Sequence, residues 1–328
     1  MRSTRQVQVI FLVLLLLTPL VLSSALLIGS IPVSMHDIWT ALISNPPTET
    51  SQIIHILRLP RILGAFSCGA LLALAGALMQ VLLRNPLADP YILGISGGAA
   101  VMTLMMMFMG YSGMLLTGGA FAGSMLSMFI VFGLAQAKGS WSPTRLLLTG
   151  IVVAAGWGAV ISFILAVAPD KNLHSMLFWL MGDLSYVNTV WPGYVVLVIA
   201  LIMAMLIARH LNVLLHGTLQ ASALGIDVKR LRLFVYLLAS LVTATAVTIA
   251  GTIGFVGLIV PHILRLLGIT NHRWLIPCSC LLGGCLLVVA DSIARIAIEP
   301  RQLPVGVITA MLGVPIFLFL LHRSNQPL

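Results

Sequence analysis

The sequence contains few charged residues. Only 8% of its 328 residues are Asp, Glu, Lys or Arg, whereas an average soluble domain contains about 25%. A water-soluble fold of this composition would expose a large apolar surface, so a single soluble globular domain is excluded. A disordered chain is excluded as well, because disorder requires low hydrophobicity and high net charge.

Lysine is especially rare. The chain contains only Lys138, Lys171 and Lys229, and none of the three follows a glycine. The phosphate-binding loop of an ATPase requires a Gly-Lys pair, so the chain carries no Walker A motif. A His-Glu-x-x-His sequence is absent too, which excludes a zinc metalloprotease of that type. We therefore predict that the chain is not itself an enzyme of either kind.

The sequence also lacks a recognisable set of metal ligands. No two cysteines form a Cys-x-x-Cys pair, and all four lie in or beside apolar stretches, as is typical of small buried side chains. His262 follows Pro261 in an apolar segment, but no second histidine, cysteine or carboxylate is spaced to join it. We predict no metal site and no bound cofactor.

The net charge of +9 does not indicate a nucleic-acid-binding protein. Such a protein concentrates its basic residues in a patch or stripe. Here the 17 Lys and Arg residues are scattered singly between apolar runs, as they are in the loops of membrane proteins. We predict no nucleic-acid partner.

Apolar residues dominate the chain. They make up 60% of it, and the mean hydropathy is +1.11. A helix needs about 20 apolar residues to cross a bilayer, so the sequence predicts an all-α membrane protein with one transmembrane domain over residues 1–328. The ten predicted spans are 8–28, 62–83, 92–110, 114–135, 146–167, 191–208, 233–251, 256–270, 275–294 and 304–321.

The basic residues predict the orientation of these spans. With both termini in the cytoplasm, twelve of the 17 Lys and Arg residues lie in cytoplasmic segments and five lie outside. Lys and Arg are enriched in cytoplasmic loops, so this topology is favoured. The apolar run after Arg2 and Arg5 is long and no clear cleavage site follows it, which indicates a retained first span rather than a signal peptide.

Three loops are long enough to carry further structure. The outer loops at 29–61 and 168–190 have room for short surface helices. The longest cytoplasmic loop, at 209–232, contains a short helical pattern that ends at Gly225, the kind of residue that commonly follows a helix. By pattern alone, this loop is either a docking element for a soluble partner or a solvated connector.

Two other kinds of function match parts of the sequence. The segment Gly94-Ile95-Ser96-Gly97 resembles the nucleophile motif of rhomboid intramembrane serine proteases, although small residues also allow close helix packing. An ion-coupled secondary carrier needs ionisable groups inside its spans. No carboxylate lies at the centre of a predicted span, and Asp291 and Arg295 have the spacing of a helical ion pair at the outer end of the ninth.

Four longer segments are more specific, and they occur in order along the chain. Together they closely resemble the FecCD family of ABC importer permeases, which includes the vitamin B12, ferric siderophore and haem importers. The segments are Ile56-Leu57-Arg58-Leu59-Pro60-Arg61, Asn85-Pro86-Leu87-Ala88-Asp89-Pro90-Tyr91-Ile92-Leu93-Gly94, Gly254-Phe255-Val256-Gly257-Leu258-Ile259-Val260-Pro261-His262-Ile263-Leu264-Arg265 and Leu303-Pro304-Val305-Gly306-Val307-Ile308-Thr309-Ala310.

The resemblance implies a type II ABC importer permease in the inner membrane of a bacterium, embedded in membrane lipid. In this family two permease subunits, here expected to be a homodimer, form the path at their interface. Two cytoplasmic ABC ATPases bind ATP and magnesium, and a periplasmic binding protein delivers the substrate. The family's commonest theme makes a ferric siderophore the first expectation for the substrate, with cobalamin second and haem third.

The resemblance also implies a docking site on the outer side. Arg58, Arg61 and Arg295 match arginines that face acidic residues of the binding protein in the family, and exposed arginines pair well with carboxylates. Two local roles compete with docking. Arg58 and Arg61 would anchor a helix at the lipid headgroups, or Arg295 would pair with Asp291 in the same chain.

On the cytoplasmic side the resemblance implies two further sites. Loop 209–232 matches the coupling helices that dock into the ATPase, and Ala221, Leu224 and Gly225 fit that pattern. Asn85 and Leu87 match a loop that narrows the cytoplasmic exit, where a bulky apolar side chain closes a pore by excluding water. The matching loop between spans four and five contributes Ser140 and Trp141 to this gate.

Overall fold

The structure is a computed structural model of the chain. It describes residues 4–29, 31, 33–44, 46, 48–136, 142–185, 187, 189–298 and 301–323. Within these residues the chain is helical and forms no β-strand, apart from one isolated bridge between Ile298 and Arg301.

The helices follow one another with short connections. A π-helical turn at Ile53–Arg58 joins α3 to α4, and a 3₁₀ turn at Pro90–Leu93 precedes α5. The helices are α1 (Thr4–Leu27), α2 (Met35–Ser44), α3 (Glu49–Gln52), α4 (Leu59–Leu82), α5 (Ile95–Phe108), α6 (Met114–Gln136), α7 (Pro143–Val167), α8 (Asp170–Leu180), α9 (Trp191–Leu215), α10 (Thr218–Ala223), α11 (Val228–Ala250), α12 (Val256–Leu266), α13 (His272–Ile296) and α14 (Val305–Arg323).

Seven of the described helical segments are long and apolar enough to cross a membrane. They are α1, the continuous segment Glu49–Leu82 that ends in α4, α6, α7, α9, α11 and α13. Three shorter apolar helices, α5, α12 and the stretch Val305–Phe319 of α14, complete the set. Every predicted span overlaps one of these ten segments. The predicted eighth span is too long, since α12 ends at Leu266 and Gly268 then adopts a left-handed conformation with φ of +83°.

Helix α4 forms the centre of the bundle. In the most apolar 18-residue stretch of the segment that contains it, 89% of residues are buried, against 11% for the corresponding stretch of α7 and 17% for that of α1. Small residues let other helices approach its backbone closely. A Cβ atom on Gly76 would overlap the carbonyl oxygen of Gly257 in α12, and one on Gly69 would overlap that of Gly283 in α13.

The chain leaves helical geometry between α11 and α12. Gly251 has φ of +68°, and a Cβ atom there would overlap the carbonyl oxygen of Trp179. Irregular backbone at membrane depth needs partners inside the protein, and here it finds them. The Ile253 N–H donates to the hydroxyl of Tyr91 at 3.1 Å, and the Asp183 N–H donates to the Ala250 carbonyl at 2.9 Å. This break therefore fixes the end of α8 against the end of α11.

The close contact of α4 with α12 predicts a strong effect of substitution at Gly76. We expect Gly76→Val to lower the free energy of unfolding by about 2 kcal/mol or more, because the helices must separate to admit the side chain. Thermal stability measured by fluorescence-detected size-exclusion chromatography tests this. Gly133→Ala in α6 is the matched control, since no described atom lies within 4 Å of its added Cβ. Equal stability of the two variants would contradict the packing described here.

Candidate functional site

A buried ion-pair cluster lies near the carboxyl end of α13. Asp291, only 1% exposed, accepts hydrogen bonds from Arg61, with Nε at 3.0 and 3.1 Å from its two oxygens and Nη2 at 2.9 Å from Oδ1. Nε of Arg295 lies 3.2 Å from Oδ2 of the same carboxylate. One carboxylate thus pairs with two guanidinium groups from two helices. Arg61 binds it in the bidentate geometry that arginine favours, and Arg295 adds an ion pair through Nε.

Two arginines complete the end of α1. Arg58 donates to the carbonyl of Leu26 at 2.5 Å and to that of Ile31, and Arg295 donates to the carbonyls of Ala25 at 3.2 Å and Ile28 at 3.0 Å. The last carbonyls of a helix have no partner within the helix and carry its negative partial charge. The two side chains donate charge-assisted hydrogen bonds to these carbonyls. The bonds join the end of α1 to α13 and to the π-helical turn that leads into α4.

The three arginines line one pocket of about 140 Å³. The prediction that they are exposed is wrong, because Arg58 is 6%, Arg61 9% and Arg295 5% exposed. The α1 carbonyls and the Asp291 carboxylate draw them inward. The predicted pair between Arg295 and Asp291 is present, whereas the contact of Arg61 with Asp291 was missed. The docking role of the arginines stays a prediction. The pocket is lined by Gly29, Ile31, Ile53, Leu57, Arg58, Arg61, Arg295 and Gln302.

The loop at 209–232, predicted to be cytoplasmic, contains the short helix α10. As predicted, the helix ends just before Gly225, whose φ of +79° turns the chain so that the Ile226 N–H reaches the Ala221 carbonyl at 3.0 Å. Ala221 is fully buried and faces the body of the protein. Leu224 is 70% exposed and Leu219, which the sequence analysis missed, is 86% exposed. The loop therefore presents two large apolar side chains to its surroundings.

A polar contact anchors the helix that leads into this loop. Asn212, near the end of α9, accepts the backbone N–H of His272 at 2.9 Å, and its Oδ1 lies 2.7 Å from Nδ1 of that ring. The amide nitrogen of Asn212 donates to Asn271 at 2.9 Å. The contact joins α9 to the first turn of α13. It brings together residues about 60 positions apart, so no local pattern announced it.

The turn after α4 forms the described part of the predicted gate. The Asn85 carboxamide oxygen accepts the Leu87 N–H at 2.9 Å, and Arg84 adopts a left-handed conformation with φ of +52°. Asn85 is exposed and Leu87 is half-buried. Ser140 and Trp141, the other two predicted gate residues, lie outside the described residues.

A cavity of about 80 Å³ separates this turn from the start of α7. Asn85 lines it from the side of the turn, and Pro143 lines it from the first residue of α7. Nearby, partial burial raises the pKa of Asp89 to about 6, and the hydrogen bond from the Tyr91 N–H opposes that rise. The turn and α7 are therefore neighbours with room to move against each other.

Helix packing accounts for the protease-like motif. A Cβ atom on Gly97 would lie 2.7 Å from Cβ of Trp157, and one on Gly98 would overlap the carbonyl oxygen of Gly123. Ser127 donates to the Gly94 carbonyl at 2.8 Å and accepts from the Trp157 indole at 2.9 Å.

Across the described part of the chain, no three His, Cys, Asp or Glu side chains cluster as metal ligands.

Comparison with known proteins identifies the family. The FecCD transport family matches residues 13–323, which confirms the family indicated by the four sequence segments. The chain is 40% identical to the iron(3+)-hydroxamate permease FhuB of Bacillus subtilis over 92% of its own length and 79% of the relative's. It is 38% identical to the hemin permease HmuU of Yersinia pestis over 95% of both chains. It is 38% identical to the vitamin B12 permease BtuC of Vibrio cholerae over 92% of its own length and 90% of the relative's.

A solved structure described as an inward-facing metal-chelate type ABC transporter has the same fold. Its TM-score is 0.85 at 31% identity, over 96% of this chain and 99% of that one. None of these relatives supports an intramembrane protease or an ion-coupled carrier. Matched by a family that spans nearly its whole length and by relatives of full-length similarity, the chain belongs to the FecCD transport family.

Proposed function

We propose that the chain is the permease subunit of an ATP-driven importer that moves a metal chelate across the inner membrane of a bacterium. Two copies form the path at their interface, and alternating access opens it to one side and then the other. The observation that carries this proposal is the match to FecCD permeases along residues 13–323, together with the metal-chelate transporter fold.

The topology proposed is ten spans in one permease domain over residues 1–328, with both termini in the cytoplasm. Helix α13 supports it. Its 25 residues extend about 37 Å, which exceeds the roughly 30 Å of a bilayer core. The arginine pocket lies at its carboxyl end, and the contact of His272 with the α9–α10 segment lies at its amino end. The pocket and the loop at 209–232 therefore lie on opposite sides of the membrane.

The energy comes from two partner ATPases, which bind ATP and magnesium. The sequence has no Walker A motif of its own. The exposed side chains of Leu219 and Leu224 form an apolar contact for a soluble partner, while the buried Ala221 and the turn at Gly225 hold them in place. On the outer side, a periplasmic binding protein inserts a carboxylate into the arginine pocket and releases its substrate to the permease dimer.

A ferric siderophore is the first substrate we propose, cobalamin the second and haem the third. The named relatives carry hydroxamate, haem and vitamin B12, with identities of 38–40% that do not separate the three. A siderophore is placed first because siderophores are the commonest substrates in the family. The first experiment must therefore compare the uptake of all three chelates.

Uptake in cells tests the proposed function directly. In cells that lack this gene, we expect uptake of one labelled chelate among ferric hydroxamate, cobalamin and haem to be lost, and a plasmid copy to restore it. Mutation of the Walker lysine of the partner ATPase should abolish the restored uptake, because ATP hydrolysis drives transport. Uptake that requires this chain but persists with the inactive ATPase would refute an ATP-driven importer.

The coupling role of the cytoplasmic loop predicts a defect for Leu224→Asp. We expect it to weaken binding of the ATPase to the permease in nanodiscs by about tenfold or more, since a charge replaces a buried apolar contact. Leu224→Met preserves the apolar contact and is the control. Normal ATPase binding by Leu224→Asp would remove this residue from the interface.

The gate role of Leu87 predicts a leak. Without its bulky side chain, Leu87→Ala should admit water into the exit and allow passage of substrate in proteoliposomes without ATP. Leu16→Ala, at a residue of α1 that is 71% exposed, serves as the control. If neither variant leaks, the Asn85–Leu87 turn is only a structural connection.

A further inference from the structure

The hydrogen bonds of Arg61 are directed to its own chain. Nε and Nη2 bind the Asp291 carboxylate, and Nη1 donates to Ser185 at 3.2 Å and to Gln302 at 2.6 Å. The ion pair joins residues 230 positions apart and connects α4 to α13. A carboxylate from outside would have to displace Asp291, which is already held in bidentate geometry at 1% exposure. Arg61 is therefore poorly suited to receive a partner's carboxylate.

Arg58 and Arg295 differ from Arg61 in what they hold. Their guanidinium groups donate mainly to neutral backbone carbonyls at the end of α1. These carbonyls carry no net charge, whereas an incoming carboxylate adds the attraction of a full opposite charge, so it competes well for these two side chains. Both also line the 140 Å³ pocket.

Asp291 balances one of the three positive charges around this pocket. Like charges repel strongly in a poorly solvated site, and Asp291 lies between Arg61 and Arg295 at 2.9 and 3.2 Å. If it were neutral, the guanidinium groups would move apart. The carboxylate thus sets the position of Arg295 both directly and by keeping Arg61 against α13.

We propose that Asp291 is the positioning residue of the outer docking pocket. It holds Arg61 as an internal brace and orients Arg295, so that Arg58 and Arg295 receive the carboxylate of the binding protein. This inference rests on the proposed function and changes it in one respect: of the three matched arginines, Arg61 acts through Asp291 rather than through the partner.

The test uses the complete transporter, with its ATPases, in nanodiscs. The periplasmic binding protein of the same transporter is titrated while its association and dissociation rates and the stimulated ATPase rate are measured. We expect Asp291→Asn to raise the dissociation constant about tenfold, mainly through faster dissociation. The maximal ATPase rate at saturating binding protein should stay unchanged, because only docking is affected. Asp170→Asn, the same change at an exposed outer carboxylate, should leave all three values unchanged.

Two further variants separate positioning from a general loss of structure. Asp291→Glu retains the charge and should recover most of the affinity. The double variant Arg61→Gln/Asp291→Asn removes one charge of each sign, and Arg295 keeps its hydrogen bonds to the α1 carbonyls, so it should fold even if the single variant does not. Because both residues act as one unit, its dissociation constant should match that of Asp291→Asn within about twofold.

Several results would overturn the inference. Tighter binding by Asp291→Asn would show that Arg61, once released, contacts the partner itself. Wild-type affinity in the double variant would show that the pair has no positioning role, and failure of Asp291→Glu to recover affinity would exclude a role of the charge. If no binding protein stimulates the wild-type transporter, the proposed function fails and this inference with it. Stimulation of the wild type with unchanged binding by Asp291→Asn refutes the inference alone.

Discussion

The close backbone contact of α4 with its neighbours is the constraint on which the bundle depends. Lipid is as apolar as the side chains of a helix, so burial of apolar surface does not drive helices together within a membrane. Association requires close packing, and here glycines on α4 meet glycines on α12 and α13. Because α4 is fixed in this way, its two ends have defined places. The amino end carries Arg61, and the carboxyl end leads into the turn at Asn85 and Leu87.

Polar contacts then hold the two ends of α13 against neighbouring helices, where packing alone would leave those ends free to move. At its carboxyl end, Asp291 and Arg295 join α13 to α4 and α1. At its amino end, Asn271 and His272 contact Asn212 of α9, six residues before α10 begins. One packed helix thus contacts the neighbourhood of both predicted docking surfaces.

The sequence predicted what is decided locally. Hydropathy located every apolar segment, and Gly225 marked the end of the short cytoplasmic helix, because both features depend on neighbouring residues. It failed where contacts join distant parts of the chain. Arg58 and Arg61 were expected at the surface, since nothing near them in sequence shows that the end of α1 and a carboxylate 230 positions away lie beside them. Asp291 was recognised as a partner of Arg295, four residues on, but not of Arg61.

The end of α1 has a consequence for biosynthesis. Its last carbonyls are completed by Arg58 and by Arg295, whose hydrogen-bond partners lie 267 and 270 positions earlier in the chain. A ribosome adds about 5–20 residues per second, so α1 waits roughly 15–50 s in the membrane before Arg295 is made. During that interval its outer end has bare carbonyls that only water or headgroups can satisfy. The end of α1 is therefore completed only after α13 has been synthesised.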